Sequence, residues 1–219
     1  MKNRSGARLL GGLTAAGLGA LSAYLFVARP WHLRWGATDE EVNEPLPGDA
    51  LVPHATQSAT HAVTINAPAR DVWPWLAQVG QTRGGFYSYT WLENLVGCRM
   101  RNAERIVPEW QDIKVRDEVW LHPCAPPLPV LICEPGRAIV LGSNTESPGT
   151  WGFYLKVLDE TRTRLIIRGR GEWGTGSLNW LLLYAVFEPA HFIMERKMML
   201  GIKRRAEAAV KGNGSCEPD

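Results

Sequence analysis

Between Ala59 and Leu95 the chain changes from a period of two to a helical period. Val63 and Ile65 alternate with Ala62, Thr64 and Asn66, which predicts a short strand running into Pro68. Val72, Trp73, Trp75, Leu76 and Val79 then recur at helical spacing. They predict a helix over Ala69 to Val79, opened by Pro68 or its neighbours and ended by Gly80. Pro74 falls inside it, near the first turn, where it is tolerated. After Gly84-Gly85 a second short helix is predicted over Tyr87 to Val96, stopped by Gly97.

Residues 100–175 read as strands. Asp117 to Leu121, Trp151 to Leu158 and Thr163 to Arg170 alternate, while Val130 to Cys133 and Ala138 to Leu141 are short apolar runs. Pro126-Pro127, Pro135-Gly136, Pro148-Gly149 and Asp159-Glu160 divide them. Successive strands with short turns predict an antiparallel meander. Ser177 to Phe187 is strongly apolar, and Pro189 sits where a first helical turn tolerates it. Ala190 to Lys211 is amphipathic, with His191, Met198, Met199, Ile202, Ala206 and Ala209 on one side. Arg196, Lys197, Lys203, Arg204 and Glu207 lie mostly opposite.

The N-terminal pattern is different. Residues 1–8 carry Lys2, Arg4 and Arg8, and Leu9 to Val27 carries no charge. At 1.5 Å per residue that stretch just crosses a bilayer core of roughly 30 Å, so 9–27 is read as a transmembrane anchor. A cleaved signal peptide is the rival: Ala20 and Ser22 form a small-x-small site, but the apolar run continues through Leu25, Phe26 and Val27. The basic excess before the span favours a single-pass membrane protein with its folded part outside. Residues 28–58 read as a tether, rich in Pro and Gly, with an acidic cluster at Asp39, Glu40, Glu41 and Glu44. The spacing of Trp31 and Trp35 places both rings on one face of a turn, at the membrane surface or against the domain. The folded domain is expected over 59–211, with 212–219 a frayed tail.

Composition changes this picture in one respect. A hydrophobic content of 45% with 21% charged residues fits one packed domain, and a net charge of +2 gives no ground for a nucleic-acid partner. The outlier is tryptophan, with 10 residues, which predicts a wide aromatic cavity, a membrane-facing rim or an aromatic core. Cys98, Cys124, Cys133 and Cys216 include no Cys-x-x-Cys pair, so no zinc or thioredoxin-like site is predicted. Cys124 and Cys133 are near enough in sequence to pair, but as one pair they read better as small apolar residues.

The order of elements (strand, two short helices, antiparallel meander, long final helix) resembles the α+β helix-grip fold. That is the START-like (SRPBCC) superfamily of lipid-transfer domains, pollen-allergen-type binding proteins and polyketide cyclases. THAVTINAPARDVWPWLAQVG looks like the superfamily's usual opening. QTRGGFYSYTWLENL, RIVPEWQDIKVRDEVWL and EPAHFIMERKMMLGIKRRAE look like a bacterial branch of membrane-associated members. The resemblance covers roughly residues 60–211. It implies an apolar ligand held between sheet and final helix, and it carries over no catalytic residue, because the superfamily shares no catalytic set.

Four constellations bear on chemistry. Glu188, His191 and Glu195 fall on one side of the final helix. A lone Glu-x-x-His pair does not make a di-iron site, so neither metal nor cofactor is expected, and Glu195 is expected to meet an arginine. Arg168 and Arg170 share one strand face, either gripping a ligand from the concave side or solvated on the convex side, and the solvated reading is favoured because Leu165 and Ile167 are better core candidates. Arg83 to Tyr89 reads as a glycine turn, or else as a mobile gate with Tyr87 and Tyr89 at its rim. Leu178 to Phe187 is too short to span a bilayer and reads as a core helix or as a segment dipping into the membrane beside the anchor, the core being favoured because Glu188 follows directly. His32, His54, His61, His122 and His191 stand isolated in the sequence, and no Gly-x-Ser-x-Gly elbow occurs, which speaks against a hydrolase.

The expected function is membrane-tethered binding of a lipid or other apolar or aromatic small molecule. Its cavity is expected to be lined by Trp75, Phe86, Tyr89, Trp120, Trp151, Phe153, His191, Met194, Glu195 and Met198. The alternatives are a polyketide cyclase or dehydratase-like enzyme, in which His191, Glu195 or Tyr89 steers proton transfer, and an assembly partner with a collapsed cavity.

Overall fold

The computed structural model describes residues 17, 19–143, 148–172 and 183–214. A π-helical turn, Tyr24–Ala28, runs into the short helix α1 (Arg29–His32), with Pro30 in its first turn. Helix α2 (Asp39–Asn43) is held by a capping box: Thr38 Oγ1 accepts from the Glu41 amide, and the Glu41 carboxylate accepts from the Thr38 amide. A 3-10 turn at Asp49–Leu51 leads into strand β1 (Gln57–Ile65). Helix α3 (Ala69–Ala77) starts at Pro68 and carries Asp71 in its first turn, where the carboxylate suits the helix dipole. Helix α4 is Thr90–Leu95, shorter than expected, since Tyr87 takes a left-handed φ of 55° before it.

The strands follow as β2 (Glu118–Val119), β3 (Leu128–Glu134), β4 (Ala138–Ser143), β5 (Gly149–Val157) and β6 (Thr163–Gly171). They form one antiparallel sheet in the order β1-β6-β5-β4-β3-β2. Helix α5 (Glu188–Gly214) crosses one face of it and packs on α3 and β1. The expected α+β arrangement of meander and long final helix is therefore present. Leu178–Leu182, most of the apolar run before α5, lie outside the described residues; Leu183–Phe187 is a π-helical turn.

Side-chain alternation gives the sheet two buried faces. Ile65, Leu165, Ile167, Phe153 and Leu141 meet Met198, Met199, Ile202 and Ala206 of α5 in the main core. Ala209, placed on the same side by its spacing, is exposed. The opposite face carries Ala62, Ala138, Val140, Tyr154 and Ile166, and Ala37 and Leu46 of the N-terminal arm pack against it. The arm also closes the open edge of β1, where the amides of Thr60 and Ala62 donate to the carbonyls of Leu33 (2.8 Å) and Trp35 (3.1 Å).

Residues 28–58 are thus docked on the sheet. Arg168 is 3% exposed, which corrects the expectation of solvated arginines. Its Nε donates to Thr60 Oγ1 (3.0 Å), its Nη1 to Glu44 O (2.9 Å) and Asp49 Oδ2 (2.7 Å), and its Nη2 to Glu41 O and Val42 O. These include the carbonyls that a helix leaves unpaired at its C-terminus. Arg164 forms a two-pronged pair with Glu41, at 2.7 and 2.8 Å. Arg170 is half-buried and donates to Val52 O at 3.2 Å.

The reading of a single-pass membrane location is overturned: no helix among the described residues is long and apolar enough to cross a membrane. Residues 9–16 and 18 of the expected anchor lie outside the described residues. From Tyr24 the chain is π-helical, then turns after His32 and reverses at Gly36 (φ +72°). Arg29 pairs there with Glu188 at the start of α5, at 2.8 and 2.9 Å. Trp31 and Trp35 both meet the edge of Phe192 on α5, at 5.6 and 6.2 Å between ring centres, and the Arg196 guanidinium lies 4.9 Å over Trp35. Cys98, Cys124 and Cys133 are free thiols.

Candidate functional site

The register of the sheet places a gap at one end of it. On the face towards α5, one row reads His61, Ile167, Phe153, Ile139 across β1, β6, β5 and β4. All four are buried, and this row is filled. The next row reads Ala59, Gly169, Trp151, Leu141, and the last Gln57, Gly171, Gly149, Ser143. Three glycines and an alanine therefore replace bulky side chains in adjoining rows. A Cβ built on Gly169 meets nothing within 4 Å among the described residues. Glycine weakens a strand interior and is often found where something approaches the backbone closely.

Over this floor lies a cavity of about 230 Å³. Trp151, Leu141 and Leu128 wall it from the sheet, Phe187 from the π-helical turn before α5, Glu188, His191 and Phe192 from the start of α5, and His32 and Leu33 from the arm. Its surroundings are mostly apolar, with the polar groups gathered where α5 and the arm meet.

Behind the wall lies a buried polar network. His61 Nδ1 contacts Glu195 Oε1, and both side chains are almost wholly buried. The other ring nitrogen, Nε2, is 2.7 Å from the His32 carbonyl, which can only accept. Trp151 Nε1 donates to Glu195 Oε2 at 2.7 Å. Burial alone would lower the His61 pKa, but the adjacent Glu195 carboxylate outweighs it and raises it. Burial would likewise raise the Glu195 pKa, yet His61, His191 and the Trp151 N–H hold it below its ordinary value. The pair is an imidazolium–carboxylate ion pair with every hydrogen-bonding edge in use.

His191 Nε2 stands 3.8 Å from Glu195 Oε2, with its side chain 43% exposed. Its ring is edge-on to Trp151 at 5.9 Å and stacked on Phe187 at 5.8 Å. Glu195 can thus orient His191 through a lengthened contact, while its own oxygens are already held. The arrangement can bind a flat apolar molecule against Trp151 and present an imidazole to it.

Of the ten residues expected to line a cavity, Trp151 and His191 face this one. Glu195 sits behind them and meets a histidine rather than the expected arginine. Trp75, Phe86, Phe153 and Met198 are packed core residues, buried against one another and their neighbours in the main cluster between the sheet, α3 and α5. Tyr89 is half-buried under the Lys197 ammonium (5.3 Å), the Met194 carbonyl accepts from Ser88 Oγ (2.9 Å), and the Trp120 carbonyl accepts from the Gln81 amide (2.7 Å). The glycine turn is no gate. Gly80 and Gly85 pair through their backbones, a Cβ on Gly85 would fall 2.5 Å from Arg101 O, and Tyr87 is 2% exposed. Its hydroxyl donates to Trp75 O at 3.1 Å, and burial pushes its pKa up to about 12.

Sequence reasoning missed His61 and His32. The available signal for His61 was parity: it shares a strand face with Val63 and Ile65, and a buried histidine there requires a partner. Among the described residues no group of three or more His, Cys, Asp or Glu side chains is placed to hold a metal ion.

No family model matches this sequence, and no curated protein matches it. Solved structures do. The Zhui aromatase/cyclase from Streptomyces sp. R1128 matches with 15% identity over 72% of this chain and 98% of its own, at a TM-score of 0.37. Protein MLL2253 from Mesorhizobium loti matches with 12% identity over 69% and 98%, at 0.39. The hypothetical protein jhp0584 from Helicobacter pylori matches with 9% identity over 74% and 95%, at 0.45. Likenesses of this degree say nothing about activity. The opening motif and the order of elements resemble the START-like superfamily.

Proposed function

We propose that this protein binds a small, flat, apolar or aromatic molecule in the glycine-floored cavity. The observation that carries the reading is the open space above Gly169, beside the Trp151 ring and within reach of His191. A volume of about 230 Å³ lies below the roughly 300–1,000 Å³ usual for drug-sized ligands and suits a two- or three-ring molecule better than a two-chain lipid. Trp151 offers a rigid stacking surface, fixed by its bond to Glu195. The binding domain would extend from residue 59 to 211, with the docked arm completing it.

A second reading is favoured by the contact between Glu195 and His191. An imidazole oriented by a buried carboxylate can move a proton on a bound aromatic precursor, as a cyclase or dehydratase-like enzyme requires. The open floor weighs against an assembly role with a collapsed cavity.

Mass spectrometry of organic extracts from the purified protein and from Gly169→Phe tests the first reading. A stoichiometric aromatic compound in the wild type and none in the variant is expected; empty extracts from a wild type that also ignores apolar probes would overturn it. His191→Ala separates the two readings, since it should stop turnover by an enzyme yet leave binding largely intact.

A further inference from the structure

One polar side chain of the floor has no part in the pocket reading. Gln57 opens strand β1 and pairs with Gly171 on β6. Side chains on a strand alternate between its faces, so Gln57 shares the face of Ala59 and His61. That face is the one towards α5, because the His61 ring reaches Glu195 there. Gln57 therefore stands at the end of the row Gln57, Gly171, Gly149, and it lines the cavity. The two glycines beside it carry no side chain that could cover it.

Gln57 is half-buried, and among the described residues its carboxamide has no hydrogen-bond partner. Glu188 and His61, by contrast, are engaged. Both Glu188 oxygens are held by Arg29, at 2.8 and 2.9 Å. His61 has one ring nitrogen on Glu195 and the other on the His32 carbonyl. A carboxamide offers two N–H donors and an acceptor oxygen. Two strand spacings of about 4.8 Å and one row of about 7 Å separate Gln57 from Trp151, a span that a two- or three-ring molecule covers. The two residues stand at opposite corners of the glycine floor.

We infer that Gln57 is a specificity-determining residue of the cavity, and that the ligand is a flat ring system carrying a hydroxyl or a ring carbonyl on the edge away from Trp151. This rests on the pocket reading above. The rings would cover Gly169, Gly171 and Gly149, and the oxygen would meet the carboxamide, which donates to a carbonyl and accepts from a hydroxyl. A plain hydrocarbon would desolvate the carboxamide without replacing its hydrogen bonds, so the residue selects against it.

The test uses the full chain and two probes of one shape, 2-naphthol and 2-methylnaphthalene, measured by equilibrium dialysis at neutral pH. Gln57→Leu should weaken 2-naphthol about fivefold to tenfold, the worth of one hydrogen bond, and leave 2-methylnaphthalene unchanged or tighter. Gln57→Glu, which still accepts, should keep most of the affinity for 2-naphthol. His191→Ala should alter both probes alike, because the oxygen points away from it. Should the Gln57 variants fail to fold, the side-chain amide resonances of Gln57 in the wild type replace them. They should shift with 2-naphthol and stay nearly still with 2-methylnaphthalene. An unchanged ratio of the two affinities in Gln57→Leu, or a loss of 2-naphthol binding alone in His191→Ala, would overturn the role of Gln57 and leave the pocket standing. Binding of neither probe to the wild type would overturn the pocket reading, and this one with it.

Discussion

The indole of Trp151 and the carboxylate of Glu195 are joined by a 2.7 Å hydrogen bond, so one buried acid both fixes the cavity wall and neutralises His61. The acid comes from the final helix, the indole from β5 and the imidazole from β1. Three distant segments therefore have to be correctly registered before the network closes, and the site is coupled to the fold itself.

That coupling gives a double-mutant cycle. Glu195→Met leaves the buried His61 cation without its counter-charge, and removing one partner of such a pair costs about 3–5 kcal/mol. Replacing both, as His61→Phe with Glu195→Met, should cost much less than the two single losses added together, because no charge is then left stranded. Urea unfolding of the four proteins measures this, and additive losses would mean that the pair does not form.

Glu93 carries a second buried charge problem. It is 3% exposed, its Oε2 has no partner among the described residues, and burial pushes its pKa up to about 7 from 4.5. A carboxyl that is harder to ionise when folded binds its proton more tightly in the folded state than in the unfolded one. The stability it allows is therefore complete below about 4.5 and declines as pH rises to about 7. Glu93→Gln should flatten that decline and exceed the wild type by about 1–3 kcal/mol above pH 7. Unfolding curves taken across this range check it, and parallel curves for the two proteins would contradict it.

Arg168 holds the arm by five hydrogen bonds to partners on the arm and on β1. Arg168→Lys keeps the charge and loses the planar fork, so it should cost about 2 kcal/mol. Arg168→Ala should cost about 3–5 kcal/mol, because the carbonyls of Glu41, Val42 and Glu44 lose this donor and Asp49 keeps only the more distant Arg170 as a cation. Amide exchange over residues 39–51 should accelerate in both variants while the core strands change less. Unchanged exchange there would show that other contacts dock the arm.

The fold was legible because its signals are local. Val63 and Ile65 against Thr64, the turn prolines of the meander and the stripe of Met198, Met199 and Ile202 each lie within a few residues. The site was not legible, because its parts are far apart. His61 and Glu195 are separated by 134 positions, and neither is informative until β1 and α5 face each other. Arg168 read as solvated because Leu165 and Ile167 on the other face are the better core candidates, while its partners at Glu41, Val42, Glu44 and Asp49 lie far off in a stretch that read as a tether. The aromatic excess suggested one large cavity, yet Trp75 and Phe153 proved to fill a core. What opens the cavity is the gathering of Ala59, Gly169, Gly171 and Gly149 in two adjoining rows of three strands, and glycines announce no such gathering in sequence.

The most direct test of the account is to titrate 2-methoxynaphthalene into the wild type and into Gly169→Phe. The substitution fills the floor beside Trp151, its cross-strand neighbour, and leaves the residues His61 and Glu195 themselves unchanged; Gly169 has no left-handed φ that a side chain would strain. The account predicts binding by the wild type and a loss of about tenfold or more in the variant, with the melting temperature unchanged or higher. Equal affinity in the two proteins would contradict it, because the ligand would then sit elsewhere.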